Sequence, residues 1–268
     1  MGLRINSNIP ALGANRQTEQ ANKALTNALQ KLGSGLRINQ AADDAAGLAI
    51  SERFRTKILQ GQQEMNNLQT GVNYAQTADA GLDVQQQATQ RIRELAVQAS
   101  NGTLTQDQRN ALNAEAQQLM GQIDDVAQNT QYNGQAMLNA NTTTPLGTEG
   151  GAQVTVNQSD TAALGLTGLD LSTAAGATAA LNNVDTALTR IDQNRAGLGA
   201  QMNRFESNIN QLQNSVMNAT NAESMIRDAD IARTVMDRTR NQIMQQGGIA
   251  AILQGNVAQR SALALLRG

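Results

Sequence analysis

The sequence predicts a mainly α protein: an elongated antiparallel helical bundle or coiled coil with a small β-hairpin region. Three observations predict it. An apolar stripe runs through Leu181, Val184, Leu188, Ile191, Leu198, Met202, Phe205, Ile209, Leu212, Val216 and Ala219, with Arg195 as its one polar break. A heptad seam of that length requires partner helices. Aromatic residues make up 1% of the chain, with two Tyr, two Phe and no Trp, so the buried area must come from thin aliphatic seams. Asn and Gln together approach a quarter of the residues, a load of amides that solvated helix faces absorb and a thick core does not. A helix over 181–226 would be roughly 70 Å long at about 1.5 Å per residue.

The elements follow in order. Leu25, Leu29, Leu32 and Leu36 have helical spacing and predict an amphipathic helix. Gly33-Ser34-Gly35 loosens or ends it. A second helix begins near Asp44 and carries Ile58, Met65 and Val72, then Leu68, Ala75 and Leu82, then Ala88, Ile92, Leu95 and Ala99. Ser100-Asn101-Gly102 stops it. Thr105-Gln106-Asp107-Gln108 fits a capping box for a third helix, whose stripe is Leu112, Ala116, Leu119, Ile123 and Val126. Asn133-Gly134 is a turn signal. Residues 139–180 are rich in Thr, Gly and Ala. Val154 and Val156 alternate with polar neighbours, as do Leu164, Leu166, Leu169 and Leu171 around Gly165 and Gly168. They predict a small β-containing segment, and their composition also fits a flexible linker. Beyond the 181–219 seam, Ile249, Leu253 and Val257 lead to Leu263, Leu265 and Leu266, and Gly247-Gly248 weakens the middle of that stretch.

Composition excludes several kinds of chemistry. The chain of 268 residues has no His and no Cys, which removes Cys/His metal sites, thiol nucleophiles and His general bases. Nothing in it supports an enzyme, a cofactor or a metal site. No apolar run reaches the length of a membrane span, and Met1 to Ala14 lacks a signal-peptide core. Net charge is −2, with mildly basic ends and an acidic middle. The basic residues are scattered and lack interleaved aromatics, so they read as solvated helix faces rather than a nucleic-acid site. Asp43-Asp44, Asp124-Asp125 and Asp228-Ala229-Asp230 read as helix-start charges, because no further ligands stand at calcium-loop spacing.

Some stretches carry more than periodicity. Gly33-Ser34-Gly35-Leu36-Arg37-Ile38-Asn39 leads into Asp43-Asp44-Ala45-Ala46-Gly47-Leu48-Ala49-Ile50. Gln90 to Gln98, Gln131-Tyr132-Asn133-Gly134, Arg195 to Arg204 and the Leu-Leu-Arg at 265–267 follow. In these motifs the chain resembles the bacterial flagellins over roughly 1–140 and 172–267, in a short form without extra surface domains. The resemblance implies an inner (D0-like) coiled-coil domain built from 1–43 and 228–268. It implies an outer (D1-like) helical domain built from 44–138 and 181–227, with 139–180 as a short variable β/loop segment.

The same resemblance implies a structural subunit that polymerises with itself into the bacterial flagellar filament for motility. It implies an extracellular place in the filament, reached by type III export without a cleaved signal peptide. Implied partners are a flagellar export chaperone, cap and hook-junction proteins, and host innate immune receptors of the TLR5 and NAIP type. By resemblance, Arg91, Leu95 and Glu115 form the first receptor-binding pattern, and Leu263, Leu265 and Leu266 the second. From the residues alone, Arg91 and Glu115 are solvated charges, Leu95 belongs to the seam and the terminal leucines pack within the inner domain. Two rivals share parts of this pattern: a hook–filament junction protein, and a cytoplasmic signalling coiled coil. The terminal helices, interrupted by glycine, gain little alone and are expected to be loosely held in the free monomer.

Overall fold

The computed structural model describes residues 8–148 and 150–267. The side chains of Pro10, Ala258, Gln259 and 262–267 fall outside the description. The elements are α1 (Ile9–Ser34), α2 (Ala45–Ala99), α3 (Gln106–Asn129), β1 (Gln131–Tyr132) and β2 (Gln135–Ala136). They continue with β3 (Thr142–Pro145), β4 (Gln153–Val156), α4 (Thr161–Leu164), α5 (Ala174–Arg227) and α6 (Ile231–Arg267). The chain divides into two compact units: unit 1 is Met1–Ile58 with Met217–Gly268, and unit 2 is Leu59–Val216.

Helix ends lie where local chemistry puts them. Asn8 Oδ1 accepts from the Ala11 N–H at 3.1 Å and opens α1. Gly35, at φ 72°, closes it with its N–H on the Lys31 carbonyl; only a residue without Cβ takes that left-handed turn cheaply. Asp43 Oδ2 accepts from the N–H groups of Asn39 and Gln40, both at 3.0 Å. Asp44 then caps α2 through the Gly47 N–H at 2.8 Å. The two adjacent carboxylates therefore fold a turn and start a helix. The predicted capping box at Thr105 is present: Gln108 N–H donates to the Thr105 hydroxyl at 3.3 Å, and Thr105 N–H to Gln108 Oε1 at 2.9 Å. Asn133 (φ 51°) and Gly134 (φ 78°) form the two-residue turn between β1 and β2.

Unit 2 has a closed apolar core. Leu68, Leu82, Ile92 and Leu95 from α2 meet Ile123 from α3, Leu138, Val154 of the β3–β4 hairpin, and Val184 and Ile191 from α5. Every member of the 181–219 stripe is buried or half-buried. The seam also starts earlier than Leu181. Thr173 caps α5 by accepting the Gly176 N–H at 3.0 Å, and Ala177 and Ala180 are buried on the same stripe. Alanines are too weakly apolar to mark a seam by themselves. The alternating Leu164, Leu166, Leu169 and Leu171 do not make a strand. Gly165 and Gly168 take φ values of 80° and 77° and turn the chain after α4, and all four leucines are buried.

Unit 1 is packed differently. α1 meets α6 through Thr18, Ala21 and Ala28, while Leu12 and Leu29 stay exposed at 55% and 48%. Of the predicted stripe, Leu25, Leu32 and Leu36 are half-buried and Leu29 is exposed, while the fully buried positions of α1 are the small Thr18, Ala21 and Ala28. α6 continues as a helix through Gly247-Gly248. Gly248 serves close approach: a Cβ there would collide with the Thr18 hydroxyl oxygen. The glycine costs helix propensity of about 1 kcal/mol and lets the two helices touch. The turns that follow α1 and α5 bond to each other. Arg37 N–H donates to the Arg227 carbonyl at 2.6 Å, and Ala229 N–H to the Gly35 carbonyl at 3.0 Å, with Leu36 bridged to Asp228.

Candidate functional site

Arg91 stands on α2 and Glu115 on α3. The guanidinium donates through Nε and Nη2 to one Glu115 carboxylate oxygen at 3.0 and 2.9 Å, and through Nη1 to Glu94 at 2.9 Å. Glu94 first, then Glu115, hold Arg91 more firmly protonated than an ordinary arginine. Its side chain is 51% exposed and that of Glu115 43%, so the pair is a surface feature of small energetic worth. Leu95, one turn beyond Arg91, is 1% exposed. The structure brings Arg91 and Glu115 together and places Leu95 beneath the surface, in the core. The backbone of Leu263, Leu265 and Leu266 continues α6, and their side chains lie outside the described residues.

Arg195, the polar break in the α5 stripe, is held by a set of partners on α2. It donates to Asp79 and Asp83, each at 2.9 Å, and to Gln86. Asp79 is the chief cause of its strengthened protonation. Gln86 also donates to Asp192 at 2.9 Å, and Arg93 to Asp185 at 2.7 Å. This polar ladder flanks the apolar seam and matches α2 to α5 residue by residue. The sequence shows Arg195 as the polar break in the stripe, whereas its partners lie 109–116 residues away along the chain.

The acidic pairs have structural tasks. Asp124 accepts from the N–H and hydroxyl of Thr161 at 2.8 and 2.9 Å, and Asp230 accepts the Arg233 N–H at 3.1 Å as α6 begins. Among the described residues no cluster of three or more His, Cys, Asp or Glu could hold a metal ion. No described helix is long and apolar enough to cross a membrane. A cleft of about 610 Å³ between α1 and the start of α6 is lined by Lys31, Arg37 and Arg233 against Asp228, Asp230 and Asp237. Its three cationic and three anionic side chains cancel in net charge.

Among the described residues, many large apolar side chains are left exposed. Ile9, Leu12, Leu29 and Ile50 on the first half of unit 1 are 46–62% exposed. On α6, Ile231, Val235, Met236, Ile243, Ile249 and Leu253 are 42–63% exposed. Monomeric proteins seldom leave this many large apolar side chains in water without an interaction to make. Periodicity signalled Leu29, Ile249 and Leu253 among them as seam. It could not signal that the seam is uncovered, because an intrachain and an interchain partner leave the same pattern.

Comparison with known proteins assigns this pattern. The family model for the bacterial flagellin N-terminal helical region matches residues 5–143, and that for the bacterial flagellin C-terminal helical region matches 181–266. The flagellin of Halalkalibacterium halodurans is 39% identical over 275 residues, covering 98% of this chain and 99% of the relative. The flagellin of Bacillus subtilis is 37% identical over 305 residues, covering 99% and 100%. A flagellar hook-associated protein from Vibrio parahaemolyticus has a similar structure, with TM-score 0.56 and 15% identity over 69% of this chain and 99% of that one; at that identity the likeness is one of fold. Whole-length relatives at this identity speak against the junction-protein and signalling alternatives. Two terminal helical regions, both matched, and a short hairpin segment between them place this chain in the bacterial flagellin family.

Proposed function

We propose that the uncovered apolar side chains of unit 1 are the surface by which copies of this chain pack on one another. Flagellins are structural proteins that self-polymerise, not enzymes, and this chain is a structural subunit of the flagellar filament. The observation that carries the packing surface is the exposure of large apolar side chains in unit 1: its fully buried side chains are small apart from Ile38, while Leu12, Leu29, Met236, Ile243 and Leu253 are exposed. Fully burying such a side chain is worth about 1.5–3 kcal/mol, and the remaining exposed part of each contributes a fraction of that to a contact between copies. On this reading 1–43 with 228–268 forms the inner layer of the filament, and 44–138 with 181–227 the outer helical layer around it. Purified protein, seeded and brought to high salt, is expected to form long filaments in electron micrographs. Short rings, or no polymer, would refute the assignment.

Finer roles rest on the resemblance. The subunit is exported through the flagellar type III apparatus to an extracellular filament, and it meets an export chaperone, cap and hook-junction proteins on the way. Zero cysteines and two prolines suit passage as an unfolded chain, since neither disulfides nor many slow X-Pro bonds stand in its way. Arg91 and Glu115 present a charged pair to TLR5-type receptors, with Leu95 supporting the pair from below. Leu263, Leu265 and Leu266 serve NAIP-type receptors. Arg91→Ala is expected to reduce receptor activation in a reporter-cell assay; full activation by that variant counts against the role.

A further inference from the structure

Unit 1 exposes four methionines: Met217 at 57%, Met225 at 83%, Met236 at 63% and Met244 at 44%. Unit 2 holds Met120 and Met137 inside its core, at 7% and 0%. Met236 and Met244 line a shallow cleft of about 400 Å³ on α6 with Val235, Thr239 and Ile243, within the apolar face assigned above to self-packing. The chain has no cysteine, so thioethers are its only sulfur and no thiol intercepts an oxidant ahead of them. Methionine is adaptable filler at binding surfaces. Its sulfoxide is polar and carries a strong acceptor oxygen that must find a donor when buried.

We propose that Met217, Met225, Met236 and Met244 form an oxidative modification site on the free subunit, which takes hydrogen peroxide and switches off packing onto a second copy of the chain. The step is a two-electron oxygen transfer. The peroxide O–O bond breaks, one oxygen bonds to the methionine sulfur as S=O, and the other leaves as water. Sulfur loses two electrons and the peroxide gains them. The product is a substrate for methionine sulfoxide reductases, so the block is reversible. The polymer shields the same sulfurs, so sensitivity belongs to the unassembled subunit. This proposal rests on the self-packing reading of unit 1.

The test treats the full-length protein with hydrogen peroxide, as monomer and as polymer, and locates sulfoxides by peptide mass spectrometry. Salt-induced, seeded polymerisation then gives the critical concentration of each sample against its own untreated control. In the monomer, sulfoxide is expected at the four exposed methionines and absent from Met120 and Met137. In the polymer the four are expected to be protected. Treatment is expected to raise the critical concentration on the order of tenfold or more, as burial of an unpaired polar group requires. That ratio is expected to fall to about one when the four are replaced in M217L/M225L/M236L/M244L, and sulfoxide reductase is expected to restore the treated wild type. If the quadruple variant does not polymerise untreated, M236L/M244L gives the same comparison. Wild type oxidised at all four positions that still polymerises like its control overturns the proposal, as does an undiminished ratio in the variants. Failure of untreated wild type to polymerise overturns the packing surface itself and the switch with it.

Discussion

Leu82 and Leu253 are the same residue type on long helices. Leu82, in unit 2, is fully buried, and Leu253, in unit 1, is 61% exposed. The contrast is general. Among the described residues of unit 1 the buried side chains are Thr18, Ala21, Ala28, Ser51, Ala219 and one large residue, Ile38. Unit 2 buries Leu, Ile, Val, Met, Phe and Tyr and leaves Leu59, Val84 and Val97 as its exposed large aliphatics. Unit 2 is a finished fold. Unit 1 leaves large apolar side chains exposed, which is the basis of the packing surface proposed above. One helical periodicity runs through both, and what separates them is how much of the stripe the same chain covers.

Amide exchange in the free subunit should show the contrast most strongly. Unit 2 amides are expected to exchange orders of magnitude more slowly than those of α1 and α6, because protection follows the free energy of local opening. Equal protection would mean that the small-residue seam alone suffices. Leu82→Ala comes next. It is expected to cost about 2–5 kcal/mol in urea unfolding of the monomer, whereas Leu253→Ala should change that stability by no more than about 0.5 kcal/mol and abolish or weaken polymerisation. Reversed outcomes would break the division of labour between the units.

Gly176→Ala tests a tighter spot of unit 2. A Cβ there would lie 2.6 Å from the Asp170 carbonyl oxygen, and backbone yields poorly, so a loss of about 1–3 kcal/mol is expected. Arg195→Ala should cost about 1 kcal/mol by urea unfolding, because its side chain is 30% exposed and solvent screens the pairs with Asp79 and Asp83.

The smallest effect concerns pH. Backbone N–H bonds from Asn39 and Gln40 hold the Asp43 carboxyl below its ordinary value. A depressed folded pKa means that its contribution is fully present above the unfolded value of about 3.9 and is lost as pH falls through the folded one. NMR titration should show Asn39 and Gln40 amides shifting in that acid window, and Asp43→Asn should remove the transition.

Much of this was legible in residue patterns. The 181–219 stripe, the Thr105 capping box, the Asn133-Gly134 turn and the Gly35 stop each have a local cause, and each is present. What was not legible depends on distance in the chain. Gly61, Gly71 and Gly81 look like weak points of α2. In the structure they seat Val216, Leu146 and Leu138, each with a side-chain carbon within 2.7 Å of where a Cβ would be. Gly248 does the same for Thr18. A glycine inside a strong helical pattern signals close packing, but not against what. Arg91 and Glu115 read as solvated charges from the residues alone, and their pairing is visible only in the structure. The early start of α5 escaped notice because Ala177 and Ala180 carry little apolar signal.

The backbone pairing of Leu36 with Asp228 has a consequence in time. Arg37 and Ile226, bonded beside it, are 189 residues apart in sequence, and all of unit 2 lies in the loop between them. Closing so long a loop early costs entropy with little in return. Once Leu59–Val216 has folded, that loop is already short. Unit 2 is therefore expected to fold first and α1 to meet α6 last, an order that pulse-labelled amide exchange during refolding checks. On that order the face proposed for self-packing is formed only after the rest of the molecule.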